Sequence, residues 1–470
     1  MQTSIINYQK TCEYNDFRID SEFFAEEFIK TIKKIESRGF VFCEQICVIR
    51  SGTTPKDRNE HLTDGIVLLK TNNIRDSILV TDSEGTFSYI DDAIDKRMAR
   101  TRLQSQDVLI NIVGATTDVI GRTAFIATDF PKANITQAMA FCRLKTSEFL
   151  PHYLFAFLKT YYGKVQVKYI ARPTGQYNLN LKEVGFLRVP KLTLEFQKKI
   201  KELILKSENH KKAAIDCYIQ AKNLLVVELN LMVWEPKHDL SFIKNYNAAK
   251  QAKRIDAEYF QPKYEKIENI IKSYKGGYSW IKDEFKQNKS TFVIDRKKTY
   301  KYIEIGSINV SSGEILADEI LGSELPANAK RVLKKDDIIV SKVRTYRGAI
   351  TIVDQEGYIG SGAFTVLQEQ GRINKETLLA FLHSKPLLEW SLKPNTGTSY
   401  PVIIDDDILN LPIPLIKDEI QKKIQQKMYE SFNLRVQSKH LLECAKKAVE
   451  MAIEKDEQTA MKWLSEQAGI

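Results

Sequence analysis

The chain has 470 residues, more than one ordinary domain core requires, and this length indicates two to four domains. Its 43% apolar and 28% charged residues, with only 21 glycines and 13 prolines, exclude a disordered or fibrous protein. The net charge of +10 favours a polyanionic partner, although a basic surface can also serve solubility alone.

Membrane and secretion signals are missing from the sequence. The longest apolar stretch, from Leu224 to Trp234, is interrupted by Glu228 and is shorter than the roughly 20 residues that cross a bilayer. The first ten residues contain no basic segment leading into an apolar run. The cysteines are scattered, and no histidine lies near the closest pair, Cys43 and Cys47. We therefore expect a cytoplasmic protein with reduced cysteines and no membrane partner.

A seven-residue motif near the start of the chain returns in its second half. Residues 18–24 read RIDSEFF and residues 254–260 read RIDAEYF, with five of the seven positions identical at an offset of 236 residues. Both motifs are interpreted as helix starts, in which Asp20 or Asp256 caps the helix and the aromatic pair packs against the domain or the helical spacer.

Further pairs of matching segments follow in the same order along the chain. Their offset falls from 236 to 224 residues, which indicates two copies that differ by insertions and deletions in loops. The pairs are QDVLI (106–110) with DDIIV (336–340), LFAFL (154–158) with LLAFL (378–382), and FQKKI (196–200) with IQKKI (420–424).

Each copy contains short β-rich segments punctuated by Gly, Asn and Asp, which predict a compact mixed domain. In the first copy and then the second, these segments are GIVLLK (65–70), DVLINIVG (107–114), TAFIAT (123–128), YKYIEIG (300–306), DDIIVSKV (336–343) and GAITIV (348–353).

Each copy ends in a predicted long helix, from Leu192 to Trp234 and from Ile416 to Trp463, where Lys, Glu, Gln, Ala and Leu dominate. A helix of about 43 residues is about 65 Å long, too long for one small domain to cover. Apolar seams predict that the two helices pair with each other, whereas exposed linker helices would need no seam. The seam residues are Phe196, Ile200, Leu203, Ala214, Ala221 and Leu224 in the first helix and Ile420 and Ile424 in the second.

The usual catalytic motifs are missing. The sequence contains no phosphate-binding P-loop, no dinucleotide-binding glycine motif, no Asn-Pro-Pro-aromatic loop of amino-methyltransferases and no nucleophile elbow. No two histidines have metal-binding spacing. The acidic run 405–407 could hold a cation, but its position before an apolar segment favours the start of a helical turn. We therefore expect a chain without catalytic activity or a bound metal.

The stretch from Ile49 to Ile74, IRSGTTPKDRNEHLTDGIVLLKTNNI, resembles the opening of a target recognition domain in the specificity subunits of Type I restriction-modification systems. The second half has no SGTTP, and the first half has Val189-Pro190-Lys191 where the family has a richer Ile-Pro-Leu-Pro segment. The resemblance covers nearly the whole chain. Segments 106–126, 135–144, 174–200 and 396–424 also resemble this family.

Together the residue patterns and the resemblance predict an α+β fold. Two duplicated mixed α/β target recognition domains are separated by two long helices that pair as an antiparallel coiled coil. The expected boundaries are residues 1–190 for the N-terminal target recognition domain, 191–235 for the central helical spacer, 236–414 for the C-terminal target recognition domain and 415–470 for the C-terminal helical region.

The resemblance implies a non-catalytic subunit that reads a bipartite, asymmetric target in double-stranded DNA. It also implies two methyltransferase subunits and two restriction subunits as partners. S-adenosylmethionine, ATP and Mg are expected in those partners, and this chain is expected to bind no cofactor. Two alternatives stay open: the specificity subunit of a Type IIB enzyme, and a stand-alone DNA-binding repressor or scaffold derived from such a subunit.

Specificity is expected in loops, where Asn, Gln and Arg can form bidentate hydrogen bonds with base edges. The SGTTP segment also makes a good turn whatever it binds, and the arginines of VRTYRG, read at strand spacing, could simply be exposed. The candidate DNA-binding residues are Ser51, Thr53, Thr54, Lys56, Lys70, Asn72, Asn73, Arg75, Arg172, Gln176 and Tyr177 in the first half and Lys342, Arg344, Tyr346, Arg347, Thr398, Ser399 and Tyr400 in the second.

Overall fold

Two compact units make up the chain in the computed structural model. One unit comprises Met1–Lys212 with Leu434–Ile470, and the other comprises Ala213–Asn433. Each unit thus contains one mixed α/β domain together with a part of both long helices. The structure describes residues 23–74, 77–80, 87–117, 119–173, 175–232, 234–395 and 400–468.

The domain of the first unit is a set of small sheets with short helices. Its strands are β1 (Phe40–Phe42), β2 (Cys47–Ser51), β3 (Ile66–Leu69), β4 (Ser77–Leu79), β5 (Ser88–Ile90), β6 (Val108–Asn111), β7 (Val113–Gly114), β8 (Thr123–Ile126), β9 (Ala133–Ile135), β10 (Met139–Leu144), β11 (Arg172–Pro173), β12 (Tyr177–Asn178) and β13 (Arg188–Pro190). Its helices are α1 (Glu26–Glu36), α2 (Cys43–Ile46), α3 (Asp92–Arg97), α4 (Pro151–Lys159), α5 (Tyr161–Ile170) and α6 (Leu181–Gly185).

A five-stranded sheet in the order β2-β10-β6-β8-β4 forms the centre of this domain. On one face, Leu109 and Phe141 pack in a core with Val67 of the β5-β3-β9 sheet. On the other face, the ring of Phe125 lies 5.6 Å from the ring of Phe155 on α4. Because both faces are covered, β6 and β8 are buried along their whole length and read as continuous apolar segments without alternation.

The second unit repeats this arrangement. Its strands are β14 (Tyr278–Trp280), β15 (Phe285–Gln287), β16 (Thr299–Ile303), β17 (Asp318–Leu321), β18 (Ala329–Val332), β19 (Ile338–Ser341), β20 (Ile350–Ile352), β21 (Tyr358–Ser361), β22 (Phe364–Glu369) and β23 (Pro412–Pro414). Its helices, apart from the long ones, are α8 (Tyr246–Ala252), α9 (Pro262–Lys272), α10 (Ile281–Glu284), α11 (Lys375–Leu382), α12 (Lys385–Trp390) and α13 (Asp405–Leu409).

Strand register shows that the two domains are copies. In the first unit β10 pairs with β6 so that Phe141 faces Leu109, and in the second β22 pairs with β19 so that Val366 faces Ile339. The second sheet, β15-β22-β19-β20, has the order of the equivalent strands in the first. The sequence offsets therefore correspond to equivalent positions in two sheets.

The long helices are α7 (Leu194–Glu228) and α14 (Asp418–Glu454), and a separate helix α15 covers Glu457–Ala468. The predicted bounds are therefore too long. Helix α7 ends before Asn230, whose φ of 54° is left-handed. The second helix breaks at residues 455–456, because the Asp456 carboxylate accepts the Thr459 N–H at 2.7 Å and begins α15.

In the first unit the two long helices meet at a pair of buried serines. The Ser207 hydroxyl donates to the Ser438 carbonyl at 2.9 Å, and the Ser438 hydroxyl donates to the Ser207 carbonyl at 2.9 Å. Hydroxyls that reach a backbone carbonyl of the facing helix require a close approach, which small side chains permit.

In the second unit the Ser431 hydroxyl donates to the Ala214 carbonyl at 2.6 Å. From the contact of Ser207 with Ser438 to the contact of Ala214 with Ser431, residue numbers rise along α7 and fall along α14. The two helices therefore pair antiparallel, and the predicted fold class is confirmed. The predicted seam is buried at Phe196, Ile200, Leu203, Ala214, Ala221 and Ile424 and partly buried at Leu224 and Ile420.

A buried glutamine joins the start of α7 to the loop before α4. The Gln197 amide donates to the Leu192 carbonyl at 3.0 Å and to the Glu148 carbonyl at 3.1 Å, and it accepts the Leu150 N–H at 2.8 Å. The side chain is only 1% exposed, so these bonds are not shared with solvent. The glutamine of the FQKKI segment is thus a structural residue.

Its counterpart in the second unit makes the same bonds. The Gln421 amide donates to the Ile416 carbonyl at 2.9 Å and to the Arg372 carbonyl at 3.0 Å, and it accepts the Asn374 N–H at 2.9 Å. All partners of Gln421 lie 224 residues beyond the partners of Gln197. The duplicated QKKI segments therefore preserve one hydrogen-bond pattern.

The prediction for the RIDAEYF segment is confirmed in part: the Asp256 carboxylate accepts the Tyr259 N–H at 3.3 Å, as a cap would, but residues 257–260 form a turn and not a helix. The guanidinium of Arg254 donates to the same carboxylate at 2.8 Å and 2.7 Å and also to the carbonyls of Pro394 and Asn395. Helix α9 begins only at Pro262. Residues 18–22 of the first copy lie outside the described residues.

Five cysteines, Cys43, Cys47, Cys142, Cys217 and Cys444, are free thiols in buried positions, and Cys12 lies outside the described residues. No helix within the described ranges has the length and apolar character that a bilayer span needs.

Replacing Gln421 by alanine should destabilise the second unit by about 2 kcal/mol, because the Asn374 N–H and the carbonyls of Arg372 and Ile416 lose a partner that is itself buried. The midpoint of urea unfolding, followed by circular dichroism, measures this change. The matched control is Gln426→Ala on the exposed face of the same helix, which should change stability by less than about 0.5 kcal/mol. Equal midpoints for the two variants would contradict the structural role of Gln421.

Candidate nucleic-acid interface

The SGTTP loop leaves β2 beside the end of β9. The Gly52 N–H donates to the Met139 carbonyl at 3.3 Å, and the Thr53 N–H donates to the Ile135 carbonyl at 3.2 Å. A Cβ atom on Gly52 would lie 1.7 Å from the Ile135 carbonyl oxygen. The motif therefore needs glycine because two backbones approach too closely for any side chain.

The rest of this loop presents polar side chains. Thr53 and Lys56 are exposed, while Ser51 and Thr54 are half-buried. Pro55 is buried and fixes the loop to the domain. The loop thus offers a ligand the hydroxyl group of Thr53 and the ammonium group of Lys56.

A second loop follows β3 as a single 3₁₀ turn, Thr71–Asn73. The Lys70 N–H donates to the Asn73 side-chain oxygen at 2.8 Å, so this amide supports the turn, while Asn72 is exposed at its tip. The Thr136 N–H donates to the Leu69 carbonyl at 3.1 Å, which places the loop after β9 beside this turn.

The TGQY loop is a hairpin between β11 and β12, and β12 pairs with β7. Gln176 is exposed at its tip, and Tyr177 is half-buried opposite Gly114. Arg172 lies at the base, where its Nε is 2.7 Å from Glu183 Oε1. Since this carboxylate is buried, Arg172 is held in an internal ion pair.

Hydrogen bonds bring these loops of the first unit to one edge. The Asn111 amide donates to the Thr71 carbonyl at 3.3 Å, and the Leu179 N–H donates to the Ile112 carbonyl at 2.9 Å. The end of β6 therefore lies between the Thr71 turn and the TGQY hairpin. Three exposed residues at the same edge, Thr116, Thr117 and Gln137, were missed by the sequence analysis, although each lies within three residues of the end of a strand.

In the second unit VRTYRG is a turn, and its predicted strand conformation is wrong. Thr345–Arg347 form one 3₁₀ turn between Arg344 (φ +51°) and Gly348 (φ +79°), both left-handed. The turn directs the exposed Arg344 and Arg347 outward. A left-handed backbone conformation is rare at an arginine, so tertiary contacts must stabilise it here.

One such contact joins this turn to the TGTSY segment. The Arg344 N–H donates to the Pro401 carbonyl at 2.8 Å, and the guanidinium lies 5.7 Å from the centre of the Tyr400 ring. The Arg347 guanidinium lies 5.8 Å from the Tyr346 ring. Planar cations beside aromatic rings are suited to nucleic acid, since both groups can stack on bases.

Lys342 lies beneath this turn, where its Nζ is 3.2 Å from Asp405 Oδ1. The Thr365 hydroxyl also donates to this carboxylate at 2.6 Å. Burial raises the pKa of Asp405, but hydrogen bonds, with that from Thr365 foremost, and the Lys342 charge together hold the pKa below its ordinary value. Lys342 is thus engaged in an ion pair with Asp405.

The acidic run 405–407 begins α13, as predicted. Asp407 accepts the Ile404 N–H at 2.8 Å, which is a helix-capping bond. Among the residues that the structure describes, no cluster of His, Cys, Asp and Glu is suited to a metal ion.

A neutral histidine supports the other side of the turn. His383 Nε2 lies 2.8 Å from the Ile350 carbonyl oxygen, which fixes it as the donor. Burial and, to a smaller extent, the Lys222 charge lower the pKa of His383 to about 4. A Cβ on Gly348 would lie 3.4 Å from this ring, and the ring packs edge-on against Tyr218 of α7 at 6.0 Å. Within the second unit, the turn therefore rests on the long helix.

The loop after β15 takes the place of SGTTP in the second unit but follows another path. The Asn288 side chain accepts the Ser290 N–H at 3.0 Å and donates to Asp337 at 3.0 Å, which turns the chain. The Val332 N–H then donates to the Ser290 carbonyl at 3.1 Å, so the loop joins β18. The second unit has no glycine equivalent to Gly52, so its loop cannot approach a neighbouring strand as closely as the SGTTP loop approaches Ile135.

This second-unit loop carries a cluster of positive charge that the sequence analysis missed. Between residues 288 and 303 Asp295 is the single carboxylate, and it accepts the Lys297 N–H at 2.9 Å. Among the described residues, the cations of this loop form no salt bridge. A count of charged residues along this loop identifies the cluster from the sequence alone. The exposed cations, here called the basic loop, are Lys289, Arg296, Lys297, Lys298 and Lys301.

The structure thus brings together the described candidates of each unit, whose role in DNA contact stays a prediction. Arg75, Thr398 and Ser399 lie outside the described residues.

Comparison with known proteins agrees with the predicted family. Residues 262–440 match the family described as "Type I restriction modification DNA specificity domain". The chain is 28% identical over 126 residues to the "Type I restriction enzyme HindI specificity subunit" of Haemophilus influenzae, a match that covers 24% of this chain and 28% of that protein. The resemblance predicted from the sequence is confirmed, and the match spans less than a third of the relative's length.

Two solved structures are also similar. The S subunit of a Type I restriction-modification system from M. genitalium has 12% identity and a TM-score of 0.36, with 88% of this chain and 95% of that chain covered. The HsdS subunit from Thermoanaerobacter tengcongensis has 12% identity and a TM-score of 0.29, with 89% and 96% covered.

Replacing Gly52 by alanine should displace the SGTTP loop, because the new methyl group would overlap the Ile135 carbonyl. We expect trypsin to cleave after Lys56 about tenfold faster, since proteolysis follows the population of the opened loop. Mass spectrometry of the early fragments measures the rate. The control is Gly362→Ala, where the nearest atom would be 3.5 Å away and where φ, as at Gly52, is not left-handed. Equal cleavage in both variants would contradict the close approach.

Proposed function

We propose that this chain, whose residues 262–440 match the family described as "Type I restriction modification DNA specificity domain", is the subunit that selects the DNA sequence in a restriction-modification complex. It reads a bipartite, asymmetric target in double-stranded DNA with its two units and positions the enzymatic subunits on that DNA. The observation that carries the proposal is the duplication: each unit gathers polar loops at equivalent ends of equivalent strands.

The two units present different chemistry, which supports two unequal half-sites. Exposed groups of the first unit include the amides of Asn72, Gln137 and Gln176, which suit the paired donor and acceptor of adenine. Exposed groups of the second unit include the guanidinium groups of Arg344 and Arg347, which suit guanine. Copies of one scaffold with different loop side chains would read different bases.

The basic loop supports a complementary role in the second unit. Its five exposed cations make no salt bridge within the described residues and so keep their charge available for phosphate. Phosphate contacts fix the register of a protein on DNA and supply affinity that depends on salt. In the proposed complex the turn that carries Arg344 and Arg347 reads bases, and the basic loop binds the phosphate backbone of the DNA.

Partners supply the chemistry in this proposal. Two methyltransferase subunits with S-adenosylmethionine would modify an adenine that is flipped into their own pocket. Two restriction subunits with ATP and Mg would act on the same DNA, in the cytoplasm, where the DNA lies. This chain would bind no cofactor itself.

The proposal is tested by selecting bound sequences from random duplex DNA with the purified chain and its methyltransferase subunit. We expect two short specific segments separated by a gap of fixed length and random sequence. Arg347→Ala should lose about 1–3 kcal/mol on the selected sequence and little on random DNA, with the enrichment lost in one segment alone. No enriched sequence would contradict the proposed function.

A matched pair of lysine variants separates base contacts from phosphate contacts. Lys297→Ala should weaken binding to all duplexes and reduce the slope of log affinity against log salt by about one. Lys266→Ala, an exposed lysine on α9 of the same unit, should leave both unchanged. If Arg347→Ala weakens selected and random DNA equally, its base-reading role is rejected.

A further inference from the structure

Residues 237–256, here called the arm, connect the end of α7 with α9 and leave four large apolar side chains in solvent. Leu240 is 98% exposed, Ile243 97% and Ile255 92%, and Tyr246 is 78% exposed. Helix α8 within the arm contributes no buried residue. So many exposed apolar side chains in one short segment indicate a surface that another molecule covers.

Polar contacts nevertheless hold both ends of the arm. At one end the Gln261 amide, which is 3% exposed, accepts the Asp239 N–H at 3.0 Å and donates to the Asp239 carbonyl at 3.0 Å. At the other end Arg254 donates to the Pro394 and Asn395 carbonyls at 2.8 Å and 2.6 Å. The arm is thus fixed to its domain without using its apolar residues, which remain available for a partner.

The arm is also basic. Residues 237–256 contain five cations and two carboxylates, Asp239 and Asp256. Lys244 is paired with Glu265 and Arg254 with Asp256, so three exposed lysines remain for a partner. A partner that covers it therefore needs an apolar groove bordered by Asp or Glu. DNA does not meet this requirement, because aliphatic side chains gain nothing from contact with phosphate. The cations are Lys237, Lys244, Lys250, Lys253 and Arg254.

The sequence of the arm is duplicated. SFIKNY (241–246) precedes RID at 254, and SIINY (4–8) precedes RID at 18. A chain with one such segment ahead of each domain is suited to two copies of the same partner.

We propose that the arm docks the methyltransferase subunit, whose surface would contain an apolar groove with an acidic border. This inference rests on the proposed function. The anchors of the arm support it: Gln261 lies directly before α9 of the recognition domain, so a subunit held by the arm is fixed relative to the loops that read DNA. Methylation of one chosen adenine requires such a fixed relation.

The test uses the full chain, co-expressed with the methyltransferase subunit. The variant Leu240→Asp/Ile243→Asp should reduce the co-purifying methyltransferase at least about tenfold, because two anchor side chains become charged. The matched control is Met232→Asp, which places the same charge on an apolar residue that is 63% exposed outside the arm and should co-purify as well as the wild type. DNA affinity of the purified chain should change less than about twofold in both variants.

Each outcome has one meaning. Normal co-purification of the double variant overturns the docking role of the arm while the proposed function stands. A loss of DNA affinity as large as the loss of methyltransferase also overturns it, since the change then acts through folding. Binding of the wild type to anionic phospholipid vesicles, abolished in the double variant, would assign the arm to a membrane instead. A wild-type chain that binds no methyltransferase contradicts the proposed function as well, and the DNA selection identifies that case independently.

Discussion

A buried glutamine at the start of each long helix is the interaction on which each unit depends. Gln197 and Gln421 are buried, and each bonds two carbonyls and one N–H of the loops around it. Because the partners lie in the loop before the long helix and in the loop before α4 or α11, one side chain fixes the direction in which the long helix leaves the domain. A long helix with a defined direction can then present its apolar seam to the other helix.

On this shared scaffold the two units differ where they meet solvent. Gly52 lets the first unit lead its loop past β9, whereas Asn288 turns the equivalent loop of the second unit toward β18. Strands and cores are repeated, while the loops at the strand ends have diverged in path and in charge. This division is typical of a protein whose scaffold is kept for stability and whose loops determine what is bound.

Much of this architecture could be predicted from the sequence, because repeats and helical composition are local patterns. The duplication, the long helices and the acidic helix start at 405–407 are confirmed. Features that depend on distant partners could not be predicted. Arg172 and Lys342 lie in ion pairs with Glu183 and Asp405, and no pattern near either cation identifies its carboxylate.

Backbone conformations that depend on tertiary contacts also could not be predicted from the sequence. The left-handed Arg344 depends on a bond to Pro401, and the RIDAEYF segment is held by carbonyls at residues 394 and 395 and does not start a helix. The basic loop, in contrast, is a run of positive charge in the sequence, but it lacks the SGTTP motif that marks the equivalent loop of the first half.

Exchange of residues 40–190 for the equivalent segment of a relative with another target tests the central claim most directly, namely that each unit reads its own part of the DNA. The methylated sequence in cells that carry the exchanged chain and its methyltransferase is the quantity to measure. The account predicts that one half of the recognised sequence changes while the other half stays the same. A change in both halves, or in neither, would contradict it.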